Sequence, residues 1–201
     1  MLAIESTVGA GKTTFGQFLS EKTGIKLYEE LVNNDTNVLL DKFYAKQKRW
    51  SFALQIHFLN DRFKMIKEIN KLESGILDRS IYGDSIFAEL LHEDGKMSKE
   101  EYNTYKSLLT NMLEHITPPQ LLIYLECSTD TAIQRIAKRN RGIETEVPIN
   151  YWLRLNEKYD SWYNNYNLSE KICLNVDNFN IFDEKQREEF LNVIVDKLKK
   201  F

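Results

Sequence analysis

IESTVGAGKTTFGQFLSEKTG, residues 4–24, decides the fold. An apolar run, MLAIE, leads into a loop of small residues, and the loop leads into a stretch of helical composition. Phosphate-binding loops have the pattern G-x-x-x-x-G-K-[ST] between a strand and a helix. Gly11, Lys12 and Thr13 match that pattern, while Ser6 stands where the first glycine is usual. The flanking context is what the mechanism needs, because backbone N–H groups at a helix start, reinforced by the helix dipole, bind phosphate oxygens. Gly9 and Gly11 let the backbone approach closely, and Thr7, Val8, Ala10 and Thr14 complete a loop placed to wrap the phosphates of a nucleotide. Lys12 is placed to reach the β- and γ-phosphates, and Thr13 to hold Mg²⁺. Ser6 adds only a hydroxymethyl group, which strains the backbone only at positive φ. A glycine-rich helix cap with an exposed lysine is the bland alternative, and the strand-loop-helix context weighs against it.

Outward from this loop, short apolar runs alternate with longer stretches of helical period. MLAIE, IKLYE, GILD, QLLIYLEC and KICLNV read as five strands, and 12–22, 36–48, 50–73, 82–92, 98–116, 128–138, 149–166 and 183–200 as helices. In 50–73, Phe52, Ile56, Leu59, Phe63, Ile66 and Ile69 form one apolar face. Strands separated by helices predict an α/β fold with a parallel sheet built from right-handed crossovers and buried on both faces. With no repeat, low-complexity tract or linker, the chain is expected to form a single domain over 1–201.

The bulk numbers fit an ordinary globular chain of 201 residues, 42% hydrophobic and 28% charged. A net charge of −3 offers no basic excess for a nucleic-acid partner. Cys127 and Cys173 lie in apolar runs and are expected as buried thiols in a reduced compartment. No apolar stretch is long enough to span a bilayer and no cleavable signal opens the chain, so no membrane association is expected and the cytoplasm is the expected compartment.

Four further stretches carry candidate chemistry. Glu29 and Glu30 end the second strand, on the edge of a parallel sheet that faces ligands, where a carboxylate can accept a hydroxyl proton. A solvated acidic pair explains them equally well. Gln55 and Arg62, seven residues apart, share nearly one helical face. Gln55 interrupts an apolar face, so its amide needs partners, either a base edge or, more commonly, backbone. Asp78-Arg79-Ser80 ends the third strand: Asp78 is placed to hold Mg²⁺ beside Thr13, Arg79 to steer a phosphoryl group, and Asp84 to meet a cation such as Arg62. Taken alone, a salt-bridged strand end would suffice. Arg135, Arg139 and Arg141 close a helix and enter a loop, which alone reads as a solvated face and beside a phosphate loop reads as a lid.

Together and in this order, the five stretches resemble the deoxyribonucleoside kinase family, over nearly the whole chain, and the short bacterial deoxyadenosine and deoxyguanosine kinases most closely. The resemblance implies a P-loop kinase fold with a short arginine-rich lid, and ATP-dependent phosphorylation of a deoxynucleoside 5′-hydroxyl, with purines favoured and deoxyadenosine first. Glu30-Leu31-Val32 matches the family's E-P-V motif, which makes Glu30 the base. Phe43-Tyr44 followed by Gln55 implies Tyr44 on the 3′-hydroxyl and Gln55 on the base edge. Arg62 and Asp84 match the pair beside the base, Arg79 the arginine near the 5′-oxygen, and Phe87 the ring stacked on the base. The lid pattern is Arg135, Arg139, Arg141 and Glu144, with Glu144 on the 3′-hydroxyl and Asn140 replacing a common glycine. A homodimer through 50–73 and 98–116 is implied as well. The competing readings are a nucleoside monophosphate kinase of thymidylate kinase type and a non-catalytic nucleotide-binding module.

Overall fold

The computed structural model describes residues 1–30, 34–139 and 147–198. Leu31 and Val32 of the second-strand motif, and Asn140, Arg141 and Glu144 of the expected lid, lie outside the described residues. The sheet has five parallel strands in the order β2-β3-β1-β4-β5. They are β1 (Leu2–Glu5), β2 (Leu27–Tyr28), β3 (Ile76–Asp78), β4 (Leu121–Glu126) and β5 (Glu170–Asn175). Eight helices surround them among the described residues: α1 (Lys12–Thr23), α2 (Asn34–Ala45), α3 (Gln47–Leu72), α4 (Ser85–Glu93), α5 (Lys99–Leu113), α6 (Thr129–Arg139), α7 (Ile149–Asn165) and α8 (Glu184–Leu198). Each expected strand and helix is present within a few residues of its expected ends.

The central strands read as unbroken apolar runs because helices cover both of their faces. Period-two alternation divides them. Leu2, Ile4, Leu121 and Ile123 pack with Phe15, Phe18 and Leu19 of α1 and Ile194 of α8. Ala3, Leu77 and Leu122 turn to the other face, against Leu59 and Ile66 of α3 and Tyr105 and Leu109 of α5. Each such side chain contributes about 1.5–3 kcal/mol by leaving water. The expectation of burial on both faces fails at β5. This is an edge strand, and only Ile172 of its six residues is fully buried. Cys173, its neighbour on the opposite face, is therefore exposed, which corrects the expectation of two buried thiols; Cys127 is buried.

Two boundaries bear on the site. The chain breaks between α2 and α3 at Lys46, whose φ of −147° is not helical, instead of a few residues later. A single 3-10 turn, Ile81–Gly83, separates β3 from α4, so that Asp84 sits at the α4 start rather than within a helix. Register then fixes what lies at the carboxyl edge. Ile4 pairs with Asp78, so β1 and β3 end side by side, with the phosphate loop leaving one and Arg79 following the other.

Candidate active site

The donor half is built largely from backbone. Gly11 caps α1 at φ 94°, and the first turn has neither an acidic residue nor a side-chain cap, so its N–H groups are left for an anion. Gly9 has φ 89°, and a Cβ there would come 2.6 Å from the Ala132 carbonyl oxygen of α6, so this position needs glycine twice over. Ser6 does not take a positive φ; outside glycine, only Glu73 and Arg79 do so among the described residues. It is fully buried, and its hydroxyl donates to the Thr7 carbonyl at 2.8 Å. Thr13 and Thr14 are exposed at the first turn.

Lys12 has no hydrogen-bonded partner among the described residues. Burial, with Arg79 adding, lowers its ammonium to about 8, against the pull of Asp78, Glu30 and Glu5. The Thr13 hydroxyl donates to Asp78 Oδ2 at 2.5 Å, while the buried Asp78 Oδ1 has no partner among the described residues. A hydroxyl and a carboxylate with one oxygen to spare, beside a phosphate-binding helix start, fit Mg²⁺, which uses one or two carboxylates and completes its shell with phosphates and water. No cluster of three or more His, Cys, Asp or Glu suited to a metal occurs among the described residues.

The acceptor half is a cavity of about 1070 Å³ between α2, α3, α4 and α7. Seven expected substrate residues line it: Glu30, Tyr44, Gln55, Arg62, Arg79, Asp84 and Phe87. Val8 of the phosphate loop also faces it, so the two halves share one cleft. Glu29 and Glu30 part company here. Glu29 accepts from Gln17 at 3.1 Å in an exposed contact, whereas Glu30 accepts from Arg62 Nη2 and, at 3.2 Å, from Arg79 Nε. Burial by itself would raise the Glu30 carboxyl, but Arg79, Arg62 and Lys12 outweigh it and hold it at about 2. Arg62 donates its other terminal nitrogen to Asp84 Oδ1, so one guanidinium bridges two carboxylates. Burial pushes Asp84 up to about 7, with Arg62 opposing. Gln55 is 6% exposed, lines the cavity and makes no hydrogen bond to backbone or side chain among the described residues.

The structure separates the two described lid arginines from that cluster. Arg135 donates to the Ala10 carbonyl at 3.1 Å and to the Val176 carbonyl at 2.9 Å, which ties the phosphate loop to the end of β5. Arg139 is exposed at the end of α6. Three contributors were absent from the sequence reading. Tyr159 of α7 accepts from Arg79 Nη1, and nothing in the surrounding sequence marks it. Phe58 lies under the Arg62 guanidinium at 5.0 Å, as Phe87 lies under Arg79 at 4.9 Å. Its place three residues after Gln55 and four before Arg62 was a readable signal. Glu5, a carboxylate ending an apolar strand, was visible too.

A family model described as deoxynucleoside kinase matches residues 2–200. A deoxyguanosine kinase of Lactobacillus acidophilus is 37% identical over 99% of this chain and 91% of its own length. A deoxyadenosine/deoxycytidine kinase of Bacillus subtilis is 36% identical over 100% of this chain and 95% of its own. Among solved structures, deoxyadenosine kinase from M. mycoides, with products dCMP and a flexible dCDP bound, superposes with a TM-score of 0.86 at 31% identity, covering 97% of this chain and 98% of that one.

Proposed function

The chain belongs to the deoxynucleoside kinase family, a phosphotransferase acting on an alcohol with a nucleoside triphosphate as donor, and we propose that the donor is ATP with Mg²⁺ and the acceptor the 5′-hydroxyl of a purine deoxynucleoside, deoxyadenosine first. The observation that carries this reading is the Glu30 carboxylate, held ionised at the wall of the acceptor cavity within the field of Lys12. A carboxylate there suits a bare sugar alcohol and would repel an acceptor that already carries a phosphate, which argues against the monophosphate kinase reading.

In the proposed reaction the α1 N-terminus and Lys12 hold the triphosphate. Thr13 and Asp78 would hold Mg²⁺, which when bound neutralises charge on the phosphate oxygens. The 5′-oxygen forms its bond to the γ-phosphorus as the bond to the leaving diphosphate breaks, and the hydroxyl proton passes to Glu30. A carboxyl near 2 is a weak base, which suits a loose transition state in which the proton leaves late and positioning supplies most of the rate. Arg79 keeps Glu30 oriented. The Gln55 amide, without a hydrogen-bonded partner among the described residues, and the Arg62–Asp84 pair are the groups assigned to the base, and Tyr44 to the 3′-hydroxyl. The purine preference draws on the relatives; a homodimer through α3 and α5 is proposed on the family resemblance, and sedimentation tests it.

Phosphate transfer from labelled ATP to each of the four deoxynucleosides, with dAMP as a control, tests the reading. Glu30→Gln should lower turnover by about 10²–10⁴-fold with ATP binding kept. Turnover close to wild type in that variant would remove Glu30 from the role, and pyrimidine preference would overturn the choice of base.

A further inference from the structure

We infer that Glu5 is a positioning residue for the transfer reaction: its carboxylate fixes the backbone turn that aims Arg79 at Glu30. The inference deepens the proposed function and rests on the assignment of Arg79 to the acceptor side.

Arg79 has φ 76°, a left-handed conformation that a bulky side chain rarely adopts and that persists only where the surroundings over-determine it. Both sides of this residue are tied to consecutive residues of β1. The Arg79 N–H donates to the Ile4 carbonyl at 3.0 Å. The next N–H, of Ser80, donates to Glu5 Oε1 at 2.7 Å, and the Ser80 hydroxyl donates to the same oxygen at 2.6 Å. Where a continuing ladder would use a main-chain carbonyl, a side-chain oxygen takes its place and lets the chain turn out of the sheet. Ser80 then starts the 3-10 turn, accepting from the Tyr82 N–H at 3.2 Å.

The surroundings leave Glu5 little alternative. It is fully buried, and a Cβ on Gly83 would come 2.8 Å from its Oε2, so the second oxygen is packed against bare backbone. Burial pushes this carboxyl up, while Arg79 and the two Ser80 donors pull it down. Held in this way, the Arg79 side chain reaches Glu30 and Tyr159 and stacks against Phe87. Displacing the turn by a fraction of an ångström would move the guanidinium that orients Glu30, with the nucleoside contacts of Gln55 and Tyr44 untouched.

Steady-state kinetics on the preferred deoxynucleoside for wild type, Glu5→Gln, Glu5→Ala and Gly83→Ala test this. Glu5→Ala removes the acceptor, and kcat should fall by about 10–100-fold, as for other residues that orient a reacting group from behind, with both KM values held. Glu5→Gln keeps an oxygen for Ser80, so kcat should fall by less than about fivefold, a neutral acceptor making a weaker bond but still a bond. Gly83→Ala presses on the Glu5 carboxylate, whose Oε2, Cδ and Oε1 are the nearest atoms at 2.8–3.0 Å, and should lower kcat to an intermediate degree at unchanged KM. Glu5→Ala with wild-type kcat, a loss confined to KM, or Glu5→Gln as impaired as Glu5→Ala would overturn the inference. If Glu5→Ala gives no folded protein by thermal melt, Gly83→Ala decides, and wild-type kcat there overturns it. A wild-type enzyme inactive on deoxyadenosine would remove the choice of base instead, and Glu5 would then be read on the deoxynucleoside that is turned over.

Discussion

The two halves of the cleft handle charge in opposite ways. On the donor side Lys12 lacks a hydrogen-bonded partner among the described residues, Asp78 keeps one oxygen unpaired, and the first turn of α1 is uncapped. On the acceptor side, Glu30, Arg62, Asp84 and Arg79 are already joined to one another. The donor half is thus a set of unmet charge demands that a triphosphate satisfies on arrival, whereas in the acceptor half opposite charges are already paired, and what is left over among the described residues is hydrogen-bonding capacity, at Arg62 Nε, Asp84 Oδ2 and the Gln55 amide, for a neutral sugar and base. A charged ligand can bring the counter-charge with it; an uncharged one cannot, so the protein supplies its own.

Deleting one charge on each side should separate the two halves most. Lys12→Ala should reduce kcat by about 10²–10³-fold or more, the cost of losing one preorganised charge-stabilising group, yet leave the melting temperature unchanged or raised, because a desolvated ammonium has been removed. Asp84→Ala should do the reverse to the fold. It strands part of a buried guanidinium's charge and should cost about 3–5 kcal/mol, at the lower end because Glu30 still accepts from Arg62. Urea titration and steady-state kinetics on the two variants read both quantities. Equal destabilisation by both would erase the distinction.

The two halves should also differ in their response to pH. Lys12 loses its proton near 8, so kcat/KM for ATP, which reports the free enzyme, should decline above about pH 8, while in kcat the limb moves upward because bound phosphate favours the ammonium. Glu30, at about 2, should add no limb between pH 5 and 8. The stability signs follow. Glu30 is lowered on folding, so its contribution is complete above its ordinary 4.5 and is lost as pH falls from there toward 2. Lys12 is also lowered, so the cost of its charge persists below 8 and is relieved as pH rises from 8 to 10.5. A limb near neutrality should instead follow Asp84, which burial raises to about 7, and vanish in Asp84→Asn; an acid limb that persists in that variant and disappears in Glu30→Gln would contradict the acceptor half.

Legibility in the sequence follows the same division. Most of the donor half is one contiguous run, residues 6–13, joined by Asp78 from the end of β3, and a contiguous loop whose backbone binds the ligand leaves a readable spacing. Strands and helices were legible because buried parallel strands are apolar runs and the helices keep their period; at β5 the strand itself was legible but its exposure was not, because edge position is a property of sheet order and not of local composition. The acceptor half depends on contacts between distant positions. Residue types at Gln55, Arg62, Asp84 and Phe87 were found through a resemblance, but the bridging of Arg62 between two carboxylates was not. Tyr159 meets Arg79 across eighty residues, and its neighbours Asp160, Trp162 and Tyr163 give no hint of it. Arg135 shows the converse. It was read as a lid cation, and in the structure its guanidinium binds two main-chain carbonyls that no sequence pattern encodes.

The smallest effect is expected where the sequence departs most visibly from the loop pattern. The first glycine of such a loop is needed only if the backbone there has positive φ or something approaches too closely for a Cβ. Neither holds for Ser6, whose φ is not positive and whose hydroxyl is bonded to the adjacent Thr7 carbonyl. Gly9 meets both conditions, with φ 89° and a Cβ that would come only 2.6 Å from the Ala132 carbonyl oxygen. Ser6→Gly should therefore leave kcat and the KM for ATP within about twofold and lower stability by about 0.4–1 kcal/mol, through the greater freedom of the unfolded chain. Gly9→Ala should destabilise the loop and weaken ATP binding. Kinetics and thermal melts on the pair decide the matter. A marked gain in ATP affinity from Ser6→Gly would mean that the hydroxymethyl group crowds the phosphates after all, and that the donor half, like the acceptor half, had already filled part of its own site.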